Sequence, residues 1–231
     1  VENPWKNLGA AFVHPDDEYN YRVHNAHAKP VHKIERGIAP LPYLGNPQTA
    51  RVILLAKNAS YTEQDETEAD NLPALNLENE KALLFESDYP FFYLDPRFEG
   101  TTGYIWWNQI LGSLINAAMQ AAAVQRLPLT RKDIVGRIAC LQSHPYRSRD
   151  SFDPAEPFPS QAFTDHLAQE AVARPGVVFV VMGGAARWQL AVPELSKAEI
   201  IPLKTQRKPY ITLGNMKAEN FIRLVSVLIG S

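Results

Sequence analysis

The sequence predicts an α/β fold: a three-layer α/β/α arrangement around a central, mostly parallel, four-stranded sheet. Three observations predict it. Uninterrupted apolar runs, VILLA at 52–56, RIACLQ at 137–142 and VVFVVM at 177–182, have the length and branched-residue content of strands buried on both faces. Segments with apolar residues at helical spacing alternate with these runs, as βα units require. Each run then enters a polar loop, at Asn58, His144 and Gly183, and a fourth strand at 199–203 enters one at Arg207. Four loops are thereby placed at the carboxyl edge of the sheet, where open α/β folds bind ligands. A length of 231 residues with 45% hydrophobic composition suits one domain spanning 1–231.

In chain order, residues 1–45 are rich in Pro, Asn and His without a sustained period, and read as an irregular wrapping arm with one short helix. His14, His24, His27 and His32 fall here and read as surface residues, since no cysteine or paired metal motif accompanies them. The strand at 52–56 runs into the turn Lys57-Asn58-Ala59-Ser60-Tyr61. Residues 63–100 read as an acidic and aromatic insertion. Within it, a helix at 76–87 is predicted behind an Asn76 cap, and PFFYLDP at 90–96 is too proline-bound for a long regular element. Ile105, Ile110, Leu111, Leu114, Ile115, Ala118, Met119 and Ala122 predict the longest helix, over 104–126. The strand at 137–142 continues into Ser143-His144-Pro145-Tyr146-Arg147-Ser148; extended geometry there would turn Gln142 and His144 to the same side. A helix at 160–174 follows, then the strand at 177–182, whose Gly183-Gly184 makes a tight turn into a short helix through Trp188. After the strand at 199–203 come the basic loop KTQRKPYITLGN and a last amphipathic helix at 216–229.

Composition narrows the function classes. The net charge of −2 conceals a segregation: residues 63–88 carry nine acids against one base, which leaves 22 bases against 16 acids elsewhere. The remainder can therefore present a basic face to phosphates. Lone Cys140, inside an apolar run, reads as a buried inert thiol in a reducing, cytoplasmic protein. No run approaches the roughly 18 to 20 apolar residues of a membrane span, no basic-plus-apolar leader opens the chain, and neither a membrane partner nor an oligomer is expected. The sequence holds no G-x-S-x-G, P-loop or metal motif.

At the four loops the chain resembles the uracil-DNA glycosylase superfamily. The turn Ala56-Lys57-Asn58-Ala59-Ser60 is similar to a family motif that reads GLNPS in the mismatch-specific branch and GQDPYH in the uracil-specific branch. RIACLQ resembles the strand that ends in the base-reading asparagine, VVFVVMGGAARW the family's VVFLLWG strand and turn, and TQRKPYITLGNM stands in place of the HPSPLS loop. The likeness spans roughly 45–229 and lies closer to the mismatch-specific branch. The departures are Lys57 and Ala59 beside Asn58, Gln142 for asparagine, and a last loop without histidine. The resemblance implies a uracil-DNA glycosylase-like fold and a monofunctional DNA glycosylase without metal or organic cofactor. Such an enzyme hydrolyses the N-glycosidic bond of a flipped-out base in duplex or single-stranded DNA and leaves an abasic site, in repair or anti-phage defence.

On this reading Asn58 orients the attacking water and His144, the nearest substitute for the family histidine, stabilises the leaving base. Base contacts are expected from Ser60, Tyr61, Phe92, Tyr93 and Gln142, because a flipped base needs a stacking ring and a donor-acceptor amide. Ser60, where the uracil-specific branch has tyrosine, admits a substituent at the pyrimidine 5-position, so a mismatched or 5-modified pyrimidine is expected. Phosphate contacts are expected from Lys57, Arg147, Ser148, Thr205, Arg207, Lys208 and Asn215. Asp65 and Asp95 are candidate general bases, and Trp106 and Trp107 are assigned to packing. Two other readings stay open: an inactive nucleic-acid or modified-nucleotide binding module, and a small-nucleoside hydrolase.

Overall fold

The run VILLA forms β2 (Val52–Ala56), the centre of the sheet, with every residue up to Leu55 inaccessible to solvent. Residues 1–8 and 12–230 are described by the computed structural model. Among them the other strands are β1 (Tyr43–Leu44), β3 (Ile138–Gln142), β4 (Val178–Val181) and β5 (Glu199–Ile201), in the spatial order β1-β3-β2-β4-β5. β3, β2, β4 and β5 are parallel, while β1 pairs antiparallel with β3, Tyr43 opposite Leu141. The sheet is thus mixed and five-stranded, not four-stranded as the sequence predicts. A two-residue strand is too short to produce a periodic signal, and it lies in the segment read as a wrapping arm. Residues 9–11 of that arm lie outside the described residues.

Side-chain alternation divides the sheet into two apolar faces. Val52, Leu54, Ile138, Cys140, Val178 and Val180 pack into one cluster; Ile53, Leu55, Ala139, Leu141 and Phe179 pack into another. The first cluster takes in α4 (Thr102–Val124) and α8 (Ala218–Ile229), and the second takes in α6 (Gln161–Ala173) and α7 (Ala185–Ala191). Fully burying side chains such as Leu224 or Leu167 contributes roughly 1.5–3 kcal/mol each, so these faces hold the helices more firmly than helix propensity does. Gly184 caps α7 at φ 70°, a left-handed conformation that a β-carbon disfavours, as the predicted tight turn requires.

The remaining helices are α1 (Glu18–His27), α2 (Glu63–Asn71), α3 (Pro73–Leu83) and α5 (Arg131–Val135). The helix predicted behind an Asn76 cap begins three residues earlier, with Pro73 in its first turn and no side-chain cap. Proline's fixed φ starts the helix without a cap. The acidic stretch begins with α2, opened by a capping box in which Thr62 and Asp65 satisfy each other's backbone donors. PFFYLDP contributes a 3-10 turn at Phe92–Leu94, and a second spans Pro96–Phe98. Among the arm histidines expected at the surface, His14 is buried and accepts from the Asp16 amide. No helix among the described residues is long and apolar enough to cross a membrane.

Candidate functional site

The loops leaving β2 and β3 continue side by side after the sheet ends. Ser143 and His144 donate their amides to the carbonyls of Ala56 and Lys57 at 3.1 and 2.9 Å, and Ser60 bridges Ser148. On the other flank of β2, the Met182 amide bonds the Leu55 carbonyl at 2.8 Å, and the Trp188 indole donates to Ala56. Connections from β2 run towards β3, whereas the chain returns across to β4, so β2 and β4 border the switch point of the parallel strands. A cavity of about 570 Å³ opens there, lined by residues of these loops, by the first two turns of α4 and by the 206–209 loop. That volume falls within the roughly 300–1,000 Å³ of small-molecule sites.

Two amides dominate its chemistry. Gln142, at the end of β3, is 3% exposed and lines the cavity, and its Oε1 is buried without a hydrogen-bond partner. A buried polar atom without a partner is costly, and a cavity-facing one is satisfied when a donor arrives. Asn58 also lines the cavity. Its Nδ2 donates to Ser148 Oγ at 3.0 Å and to the Ala59 carbonyl at 3.2 Å, which leaves Oδ1 buried and unpartnered.

The expected base-contact and general-base residues divide. Ser60 and Tyr93 line the cavity, Tyr93 with its ring against Gly103 and its phenol held in the protonated form by burial. Tyr61 and Phe92 do not line it: Tyr61 is buried beyond the bridge to Ser148, and Phe92 is in the core. Asp95 caps its own turn and pairs with Arg97, away from the cavity. Asp65 does line it, but its carboxylate is divided between the Thr62 cap and Arg147 at 2.6 Å. Trp106 and Trp107, both assigned to packing, line the cavity: Trp106 is 44% exposed, while Trp107 is buried and packs edge-on to Phe91. Trp106 stands off the apolar stripe of its helix, and that was the signal for its exposure.

His144 departs most from expectation. The chain bends after Gln142, so extended geometry does not persist and the two side chains part. His144 is 2% exposed and absent from the cavity lining. Its ring stacks on Phe152 at 5.1 Å, Nδ1 meets Gln161 Nε2 at 3.4 Å, and Nε2 lies 3.7 Å from Asp153, beyond hydrogen-bonding reach. Burial lowers its pKa to about 4, so the ring is neutral at pH 7.

The expected phosphate contacts also divide. Thr205, Arg207 and Lys208 are exposed, Arg207 lines the cavity, and neither Arg207 nor Lys208 forms an ion pair among the described residues. Asn215 is instead the organiser of that loop, donating to the carbonyls of Thr205, Lys208 and Tyr210 and accepting from the Thr205 amide. Ser148 is fully buried and cannot meet a phosphate. Arg147 is spent on Asp65 and the Ser60 carbonyl, and Lys57 on Asp153 at 2.7 Å. Among the described residues no cluster of metal-ligating side chains occurs. Burial raises the Cys140 thiol well above its ordinary pKa. No protein-family model, curated protein or solved structure matches the chain.

Proposed function

We propose that this chain is a DNA glycosylase of the uracil-DNA glycosylase kind, a three-layer α/β/α domain whose cavity receives a flipped-out mismatched or 5-modified pyrimidine. The observation that carries the reading is the buried, unpartnered Gln142 Oε1 sharing one cavity with the unpartnered Asn58 Oδ1. A pyrimidine edge offers adjacent donor and acceptor atoms to such an amide, and Tyr93 and Trp106 supply aromatic walls. Asn58 Oδ1 accepts a hydrogen bond from water and aims it at the anomeric carbon. The carbon–nitrogen bond breaks with its electron pair leaving on the base, the water oxygen bonds to the sugar carbon, and the water's proton passes to solvent or base. Asn58 is a poor proton acceptor, so fixed dipoles rather than general-base catalysis carry the reaction. Exposed Arg207, Lys208 and Thr205 at the rim meet the phosphates.

His144 has no part in this scheme, because it stands outside the cavity. One observation favours a second reading, an inactive module that binds a modified nucleotide: the lining carboxylate Asp65 is committed to Arg147, and no imidazole replaces it. The test is to incubate the protein with single-stranded and duplex DNA carrying uracil, G·T mismatches or 5-modified cytosines, then treat with alkali. Strand breaks that vanish in Asn58→Ala support the glycosylase. Salt-sensitive binding without base release supports the module.

A further inference from the structure

Ser148 was grouped by sequence with the phosphate contacts, yet its hydroxyl is sealed from solvent. That hydroxyl donates to the Asp150 carbonyl at 2.5 Å. A carbonyl only accepts, so the single proton of Ser148 is committed and only lone pairs remain for Asn58. The Ala59 carbonyl, 3.2 Å from Asn58 Nδ2, likewise accepts only. Both neighbours therefore demand the amino end of the Asn58 amide, and the flipped arrangement would set oxygen against oxygen at both. The backbone holds Ser148 beside the Asn58 turn through its bridge with Ser60, to which the 3.0 Å bond from the Tyr61 amide to the Ser148 carbonyl belongs.

We infer that Ser148 is a positioning residue that fixes which end of Asn58 faces the cavity, so that the site presents an acceptor there and selects water or another donor. The catalytic side of this inference rests on the proposed role of Asn58. The orientation itself does not.

Two measurements separate them. In protein labelled with nitrogen-15 in its asparagine side chains, the Asn58 amide protons should exchange with solvent about tenfold faster in Ser148→Ala than in wild type, the scale set by one lost hydrogen bond. Unchanged exchange overturns the inference. On a DNA substrate whose base the wild type releases, Ser148→Ala should slow kcat with little change in KM, and should have no further effect in an Asn58→Ala background. Additive losses would mean that Ser148 acts independently of Asn58 and would also overturn it. Faster exchange without base release from any DNA would leave the orientation standing and sink the glycosylase reading instead.

Discussion

Arg147 and Asp65 close an ion pair, Nη2 to Oδ1 2.6 Å, in the wall of the cavity, and the same guanidinium grips the Ser60 carbonyl with two hydrogen bonds. The pair ties the loop after β3 to the first turn of α2, and with it the Asn58 turn between them. Each side chain is only 10% exposed. Burial opposes the guanidinium charge, but Tyr93 and Asp65 beside it hold its pKa above the ordinary value. Removing one partner of such a pair strands the other charge, so Arg147→Met should cost about 3 kcal/mol of unfolding free energy. Urea titration checks this. A loss within 0.5 kcal/mol, roughly the scatter of surface substitutions, would mean that Asp65 finds solvent instead.

Gly103, in the first turn of α4, touches the Tyr93 ring so closely that an added β-carbon would lie 2.2 Å from it. Alanine raises helix propensity by about 1 kcal/mol. The clash outweighs this because Tyr93 is buried and cannot swing aside freely, so Gly103→Ala should destabilise by about 1–3 kcal/mol. It should also weaken ligand binding, since both residues line the cavity. Thermal denaturation and a binding titration on the same variant read the two effects.

His144 predicts a pH dependence of stability. Its folded pKa, about 4, lies below the ordinary 6.5, so the unfolded chain binds the proton first. The stability is complete above about pH 6.5 and falls as the pH drops towards 4, by up to about 3 kcal/mol. Urea midpoints at pH 7.5, 5 and 4 should therefore fall less steeply in His144→Gln than in wild type. Parallel profiles would contradict the burial of an uncharged ring.

At the rim, Arg207→Gln should weaken DNA binding evenly across sequences and lower the slope of log affinity against log salt by about one. An unchanged slope would remove Arg207 from the phosphate path.

How far the sequence foretold these features depended on how local their causes are. β2, β3 and β4 were legible because strands covered on both faces read as continuous apolar runs. α2 was not, since it is polar all round and shows no apolar stripe. A capping box at Thr62 and Asp65 starts it, and Glu68 then accepts from Thr102 at the start of α4. The Thr-x-x-Asp spacing at 62–65, and again at 130–133 before the unpredicted α5, was the available signal. In the site, Asn58 and Gln142 were legible as polar residues ending buried strands. His144 was misplaced because alternation holds only while a chain stays extended. Ser148 and Arg147 were misjudged because their partners, Asn58 and Asp65, are 90 and 82 residues away in sequence.

On the proposed function, Asn58 and Gln142 form one base-binding and bond-cleaving site without His144. The deciding measurement is alkali-revealed base release from DNA containing uracil, mismatched thymine or 5-modified cytosine, for wild type, Asn58→Ala, Gln142→Ala and His144→Gln. Base release is expected from wild type and from His144→Gln, with losses of about a hundredfold or more in Asn58→Ala and a clear loss in Gln142→Ala. Release that survives Asn58→Ala but disappears in stably folded His144→Gln would contradict that assignment.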